Sequence, residues 1–528
     1  MSSFQKLREK RPKHILLVTP TSPNDIAKTK WFSANLGIER LAGFLNAHGH
    51  SAETYDTNYY NSINNIMPLD EKLRQRRWDI VGVSVQEDTM IHDIGNLMLA
   101  SELCPGAVLV AGGHTAQFDY QTILDKSPAN LVVIGEGEKP LLSLAEGKPI
   151  EEIPGIVLKN SNQPLTSEEF KQATQWIDYE HIPYEEYWDY YLDLYKKNSQ
   201  KITSALRKVI HTIRIYTKNY CPMKCSFCST TNFLKKACDT NAIPLVGLSP
   251  EDLINLLKRI IKAHPRVETI YFTDDDFCSR RKHLKEFLHL AAREQLPVEF
   301  FAFSRIDDLD DEIVSLMVKA GFRSLHIGIE SFQPEILKEL KKKVNLKTID
   351  RNLDLLNSYG IKPSVTFILC TPNSKLEWVE NTAKRILHEY RRGRLSPGIN
   401  VMAQPQLGSR LYEENEEFES HNIPICNSNE FVRRHYFIKS KDPEVREFQY
   451  RFLHRWGDYI KSIVASDEGG HLTSPDQTPV KLELILEVIA EIKSERGSPN
   501  QQHYSQMSQE KRHELWLVLS TYKYGASL

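Results

Sequence analysis

The chain has 528 residues, a net charge of −2, 41% hydrophobic residues and 26% charged residues. This is an ordinary balance for a folded protein of several domains, and it gives no electrostatic reason for a nucleic-acid or anionic-membrane partner. The longest apolar runs, such as Ile80–Val85 and Val108–Ala111, are far too short to span a bilayer, and the basic N-terminus runs into a strand-like segment without a signal-peptide core, so a cytoplasmic protein is expected.

Residues 14–150 alternate short apolar runs with amphipathic stretches. Strands are expected at His14–Val18, Ala52–Tyr55, Ile80–Val85, Ala107–Ala111 and Leu131–Ile134, and helices at Leu36–Ala47 and Ile91–Leu103. Five strands with helices between them predict a doubly wound, Rossmann-like parallel sheet. Ligands of such sheets bind beyond the carboxyl ends of the strands. Residues 151–206 read as a connector, with Pro154, Pro164 and Pro183 and the aromatics Trp176, Tyr179, Tyr184, Tyr187, Trp188, Tyr190, Tyr191 and Tyr195. Its expected role is to pack across a domain interface, the alternative being direct contact with a bound cofactor.

A second alternating block begins near His211. Strands are expected at Thr212–Tyr216, Thr269–Thr273, Val298–Phe303, Ser324–Ile329, Ser364–Leu369 and Ile399–Ala403. Ser249, Pro250 and Asp252 mark a helix start by cap, first-turn proline and first-turn acid. Further helices are expected at Lys282–Glu294, Asp311–Ala320, Leu346–Ser358 and Lys375–Arg392. Six strand–helix units predict a partial (β/α)6 barrel over 207–420, with its chemistry at the carboxyl ends of the strands. Residues 421–528 are charged, mostly helical in pattern and without a motif; Val480–Ile492 reads as an amphipathic helix.

Of the eight cysteines, three crowd into Asn219-Tyr220-Cys221-Pro222-Met223-Lys224-Cys225-Ser226-Phe227-Cys228. Three thiolates at C-x3-C-x2-C can hold three corners of an iron–sulfur cubane from one loop and leave one iron open for a ligand. The alternative is structural zinc with a fourth ligand from Cys238 or His211. Cys278 and Cys370 lie near strand ends and are expected to be small buried apolar residues.

This loop, at the end of the first strand of a βα barrel, resembles the radical S-adenosylmethionine (SAM) superfamily over roughly residues 207–415. The resemblance implies a [4Fe-4S] cluster held by Cys221, Cys225 and Cys228. SAM would chelate the open iron and be cleaved reductively to a 5′-deoxyadenosyl radical. Many members carry a Gly-Gly-Glu-like turn after the second strand. Here the turn is Thr273-Asp274-Asp275-Asp276, which resembles the subset that also binds cobalamin, with Asp274 and Asp275 as acceptors for the SAM ammonium or, alternatively, as helix-capping acids. Arg305, after the third strand, could hold a carboxylate bidentately or form a surface ion pair. Glu330, in Gly328-Ile329-Glu330-Ser331, resembles the family's SAM-contacting acid. The family's Gly-x-Pro-Gly-Glu-Thr form is degraded to Cys370-Thr371-Pro372-Asn373-Ser374, and no residue is given a catalytic proton-transfer role.

Residues 14–145 resemble the cobalamin-binding domain that precedes many such barrels. Ser84, Gly112, Gly113, Gly135 and Gly137 stand at strand ends, where small residues let the backbone approach a large ligand. The alternative is that these glycines only make tight turns. The cobalt-ligating Asp-x-His-x-x-Gly loop is missing: the first loop runs Thr19-Pro20-Thr21-Ser22-Pro23-Asn24-Asp25, and no histidine occurs between His14 and His48. The resemblance therefore implies cobalamin bound without a lower histidine, which suits methyl loss to a carbon radical; the alternative is a vestigial domain that binds none. The expected activity is methylation of an unactivated carbon of a small-molecule substrate, with an electron donor such as flavodoxin or ferredoxin. The alternatives are a cobalamin-assisted cyclisation or rearrangement and a non-enzymatic cluster or cobalamin sensor.

Overall fold

Continuous apolar runs form strands buried on both faces, and Ile15, Leu16, Leu17 and Val18 are all nearly free of solvent. The computed structural model describes residues 3–21, 34–63, 67–158, 161–162, 176–197, 202–238, 243–426, 428–466, 477–496 and 507–523. Residues 22–25 of the first loop and Pro164 of the connector lie outside them.

The first sheet contains β1 (His14–Val18), β2 (Ser51–Tyr55), β3 (Ile80–Ser84), β4 (Val108–Gly112), β5 (Leu131–Val133), β6 (Ile156–Leu158) and β7 (Ser161–Asn162). Its order is β2-β1-β3-β4-β5-β6-β7, with β1 to β5 parallel. The strand order reverses between β1 and β3, and the crevice outside the carboxyl ends there is where such sheets bind ligands. The antiparallel additions β6 and β7 are too short to show a period, and they carry the sheet past residue 150 into the connector.

The second sheet is built from β8 (Thr212–Ile215), β9 (Thr269–Phe272), β10 (Glu299–Arg305), β11 (Phe322–Glu330), β12 (Ser364–Cys370) and β13 (Ser396–Met402). They lie side by side in chain order, all parallel. Helices Pro250–Ala263, Arg281–Glu294, Asp311–Ala320, Leu346–Ser358 and Leu376–Arg391 follow successive strands, which gives the partial (β/α)6 barrel. The Ser249 side chain accepts from Asp252 N and fixes the start of the first of these helices. Helix Tyr184–Lys197 of the connector packs its buried Tyr184, Trp188, Tyr191 and Tyr195 into the same core as Ile213 and Ile215 of β8.

The C-terminal region is mostly helical (Pro443–Ser466, Thr478–Ser494, Gln509–Lys523). An antiparallel hairpin precedes it, β14 (Phe418–Pro424) with β15 (Phe431–Ile438), which the sequence pattern did not predict. Its tip reaches the first domain, where Arg434 pairs with Asp88 and Cys426 Sγ lies 3.1 Å from His92 Nδ1.

The carboxyl edges of the two parallel sheets face each other. Arg40, from helix Leu36–Ala47, is ion-paired with Glu136 (2.6 Å) and with Glu138, both beyond β5, and donates to Tyr216 OH just past β8 (2.6 Å). His114, just past β4, bonds the Ser229 hydroxyl beside the last cluster cysteine (2.8 Å). Phe118 packs against Gly408, beyond β13. Removing Arg40 would leave two buried carboxylates uncompensated, at a cost of about 3–5 kcal/mol.

Gly408→Ala should wedge this interface open. Its backbone is left-handed (φ +77°), and an added Cβ would stand 2.2 Å from the Phe118 ring. We expect a loss of about 1–3 kcal/mol beyond the backbone strain. Gly393→Ala shares the strain (φ +72°) but meets open space, so it should lower the thermal midpoint less; equal shifts would argue against a packed interface at Gly408.

Candidate active site

Three cysteines on an irregular loop can converge only if the loop is fixed from outside. Its first turn is fixed by Asp274, at the end of β9. This buried carboxylate accepts from Thr217 N (2.8 Å), Lys218 N (2.7 Å) and Thr217 Oγ1 (3.1 Å). Lys218 Nζ donates to the Phe277 carbonyl (3.0 Å) and the Ser279 hydroxyl (2.9 Å). Asn219 and Tyr220 bond to the backbone at Val246 and Ile243. At the far end, Ser226 donates from its N to the Leu340 carbonyl (3.0 Å) and from its hydroxyl to the Glu339 carbonyl (2.9 Å), and its own carbonyl accepts from Leu411 N (2.7 Å).

Cys221, Cys225 and Cys228 are half-buried on this loop and feel one another's charge. Burial pushes the Cys221 thiol up to about 12 and also raises Cys228. Without metal the Cys221 and Cys228 thiols therefore hold their protons, which incoming iron would displace. Arg305 Nη1 lies 3.7 Å from Cys225 Sγ and supplies a compensating charge. Among the described residues, no three His, Cys, Asp or Glu side chains close around a single metal ion. The zinc alternative also lacks its fourth ligand. Cys238 packs in an apolar group with Leu234, Ala237 and Ile243, and His211 sits at the opposite end of β8 against Glu268 (3.2 Å). Three thiols spread along one loop suit a cubane, which offers a separate iron to each.

A cavity of about 400 Å³ opens where the sheets meet, lined on one side by Asn35, Leu36 and Gly37 and on the other by Arg214, Tyr216, Lys218, Tyr220 and Asp274–Asp276. This is a usual size for a small-ligand cleft. With Asp274 engaged by the loop, the acid open to the cavity is Asp275. Desolvation in the cleft and the neighbouring Asp274 charge push Asp275 up to about 6, and Thr230 bonds it. Asp276 and Asp308 lie close together, and desolvation raises both. Below the cavity, Arg214 lies over the Tyr271 ring (5.5 Å), which stacks on Phe301 (4.4 Å).

Arg305 is buried rather than at the surface: it donates to Asp307 (2.8 Å) and to the Lys342 carbonyl (2.6 Å), and its Nε has no hydrogen-bond partner. Glu330 ends β11 at a bulge, in left-handed backbone (φ 70°) that costs an ordinary residue about 1–3 kcal/mol. Its carboxylate is held by Lys342 (3.0 Å), itself buried and over the Phe227 ring. A Cβ on Gly328 would stand 2.3 Å from that carboxylate, so glycine there is what makes room for the pair. Sequence reasoning missed Lys342, because a lysine within Lys341–Lys343 reads as a solvated face. Cys278 and Cys370 are buried in the barrel core, 3% and 0% exposed.

Ser84, Gly112 and Gly113 stand at the carboxyl ends of β3 and β4, Gly135 follows β5, and Gly137 precedes helix Glu138–Ala145. A Cβ on Gly113 (φ +95°) would lie 2.7 Å from Ser84 Oγ, and one on Gly137 would lie 3.1 Å from Leu41. Those two glycines are required by the turn and the helix packing. Gly112 has room in front of it, and Gly135 N is held by Gln117 (2.6 Å). Thr115 Oγ1, in the short helix that follows Gly113, is buried without a partner, a donor suited to a polar ligand at this edge.

Residues 26–145 match the B12 binding domain and residues 215–386 match the Radical SAM superfamily. An uncharacterised methyltransferase of Pyrococcus horikoshii is 26% identical over 63% of this chain and 69% of its own length. The hopanoid C-3 methylase of Methylococcus capsulatus is 26% identical over 66% of this chain, which spans 63% of that relative, under two thirds of its length. Among solved structures, the radical SAM methyltransferase TsrM of Kitasatospora setae, bound to tryptophan and a SAM analogue, shares 16% identity and a TM-score of 0.62, over 92% of this chain and all of that one.

Replacing Cys221, Cys225 or Cys228 by Ala should each abolish iron retention after anaerobic reconstitution, whereas Cys238→Ala should retain it. Wild-type iron content in any of the first three would refute the assignment. Asp274→Asn, which exchanges a charged acceptor for a neutral one, should weaken the loop by about 1.5–3 kcal/mol and speed iron loss to a chelator.

Proposed function

The chain belongs to the radical SAM superfamily and carries a B12 binding domain ahead of its barrel, and on that premise we propose that it methylates an unactivated carbon of a small-molecule substrate. It is an enzyme whose cofactors are a [4Fe-4S] cluster, SAM and cobalamin. One observation carries the proposal: the cysteine loop and the carboxyl edge of the B12 binding domain meet across one cavity, joined by the Arg40–Tyr216 and His114–Ser229 bonds. Successive transfer to one substrate carbon requires both reacting partners within near-contact reach of the same space.

When bound, these groups supply one-electron cleavage of SAM and a transferable methyl group. Cys221, Cys225 and Cys228 would hold the cluster, with Arg305 offsetting their charge. Asp275 and Glu330 would accept from the polar groups of SAM, and Asp274 keeps the loop in register. Ser84, Gly112 and Gly135 would face the cobalamin, while Gly113 and Gly137 shape the turns beside them. His114 bonds Ser229, which fits cobalamin without a lower histidine. Arg214 makes no ion pair among the described residues and would receive an anionic group of the substrate. Among the described residues no helix is long and apolar enough to cross a membrane. None of the eight cysteines is in a disulfide, which suits a reducing compartment and the cytoplasm. The electron comes from a carrier such as flavodoxin or ferredoxin.

Anaerobic turnover of the full chain with methyl-labelled SAM and a metabolite pool should place label on a carbon of a new product. Formation of 5′-deoxyadenosine without label transfer would show a cyclisation or rearrangement instead. Glu330→Gln should weaken SAM binding about tenfold, read by equilibrium titration; wild-type affinity would remove Glu330 from the site.

A further inference from the structure

Backbone strain and unpaired charge coincide at one place on the surface. Among the described residues four non-glycine residues have positive φ, and three of them are Glu330, Lys341 and Lys343. They surround one buried contact, the Lys342–Glu330 ion pair. The carbonyls of Glu339, Leu340 and Lys342 accept from Ser226 and Arg305, so this turn forms a collar around the cysteine loop. Turning Lys342 inward sends its neighbours outward. Lys341 and Lys343, with Lys338 and Lys224, surround a cavity of about 650 Å³ whose floor is Leu337, Val344 and Leu346.

None of these four lysines makes an ion pair among the described residues, whereas Lys375 and Lys384 of the same barrel both do. The nearby Glu339 carboxylate is turned to Thr371 (2.5 Å) and Asn373 (2.9 Å) and forms no ion pair with any of the four. Lys224 stands between Cys221 and Cys225. The face is thus a ring of unpaired cations around an apolar floor, directly outside the cysteine loop. Apolar centres with charged rims are how proteins recognise oppositely charged proteins.

We propose that this face docks the electron donor, a small acidic one-electron carrier protein. The inference rests on the cluster assignment above and adds where the electron enters. One electron leaves the carrier, which is oxidised by one electron, and the cluster is reduced by one; no bond forms and no proton crosses the contact. The apolar floor and the place beside the redox centre favour a protein carrier over a nucleic acid, whose backbone would need a phosphate track and no such floor.

The test uses the full reconstituted chain and an acidic flavodoxin as probe. Wild type should bind oxidised flavodoxin with an affinity that falls as salt rises. The Lys338→Glu/Lys343→Glu variant should bind at least tenfold more weakly and lose most of that salt dependence, and Lys338→Gln/Lys343→Gln should fall between. Iron content and dithionite-driven formation of 5′-deoxyadenosine should match wild type in both, showing that the variants are folded. Unchanged flavodoxin affinity in the charge-reversed variant, no binding by wild type, or equal binding of an acidic protein without a redox centre would each overturn the proposal. Failure of wild type to form 5′-deoxyadenosine with dithionite would instead refute the cluster assignment, and the binding titration would still decide the docking face.

Discussion

Everything at this site depends on a loop with no regular structure being held still. The Asp274 carboxylate does this at one end by taking donors from Thr217 and Lys218, a few residues before the first cysteine. Ser226 does it at the other end, bonding to the turn after β11 and the segment after β13. Three strand ends thereby converge on eight residues. A carboxylate is well suited to this, because charge-assisted bonds to backbone N–H groups are about twice as strong as neutral ones. Of the three acids at the end of β9, Asp274 is thus committed to the loop, and Asp275 is the exposed one at the cavity.

Charge placement elsewhere follows the same logic. Arg40, Glu136 and Glu138 are buried together where the sheets meet, and Lys342 with Glu330 beside the cysteine loop. Such groups are expensive to desolvate and are tolerated where each has a partner. The first cluster lies between elements about a hundred residues apart and favours one relative placement of them, while the second fixes the turn that follows β11. The aromatic connector adds apolar contact to the same arrangement: Tyr187 packs on Tyr59 at 4.1 Å and Trp176 on Phe44 at 5.3 Å.

Much of this was legible in the sequence. The spacing of Cys221, Cys225 and Cys228 and the strand–helix alternation stand in the local pattern, and helices Leu36–Ala47, Asp311–Ala320 and Leu346–Ser358 fall where their periodicity puts them. The rest was hidden for identifiable reasons. The β14–β15 hairpin buries Glu419 against Tyr450 and Arg512, so its inward face reads as polar surface. Lys342 and Arg40 look like solvated cations until tertiary packing surrounds them with acids. Three consecutive aspartates cannot reveal which one turns toward the loop, because that is set by the distance to Thr217 across the sheet.

The hairpin tip that touches the first domain also sets an order of events during synthesis. Cys426 meets His92 334 residues later in the chain, which at about 5–20 residues per second is a delay of roughly 20–70 s. The five parallel strands are complete by Val133, and until the hairpin arrives their carboxyl edge lacks its cover. A bulky corrin can settle on an open edge more easily than thread into a closed one, so the linear order of the chain gives the vitamin its opportunity before the rest of the protein folds over it.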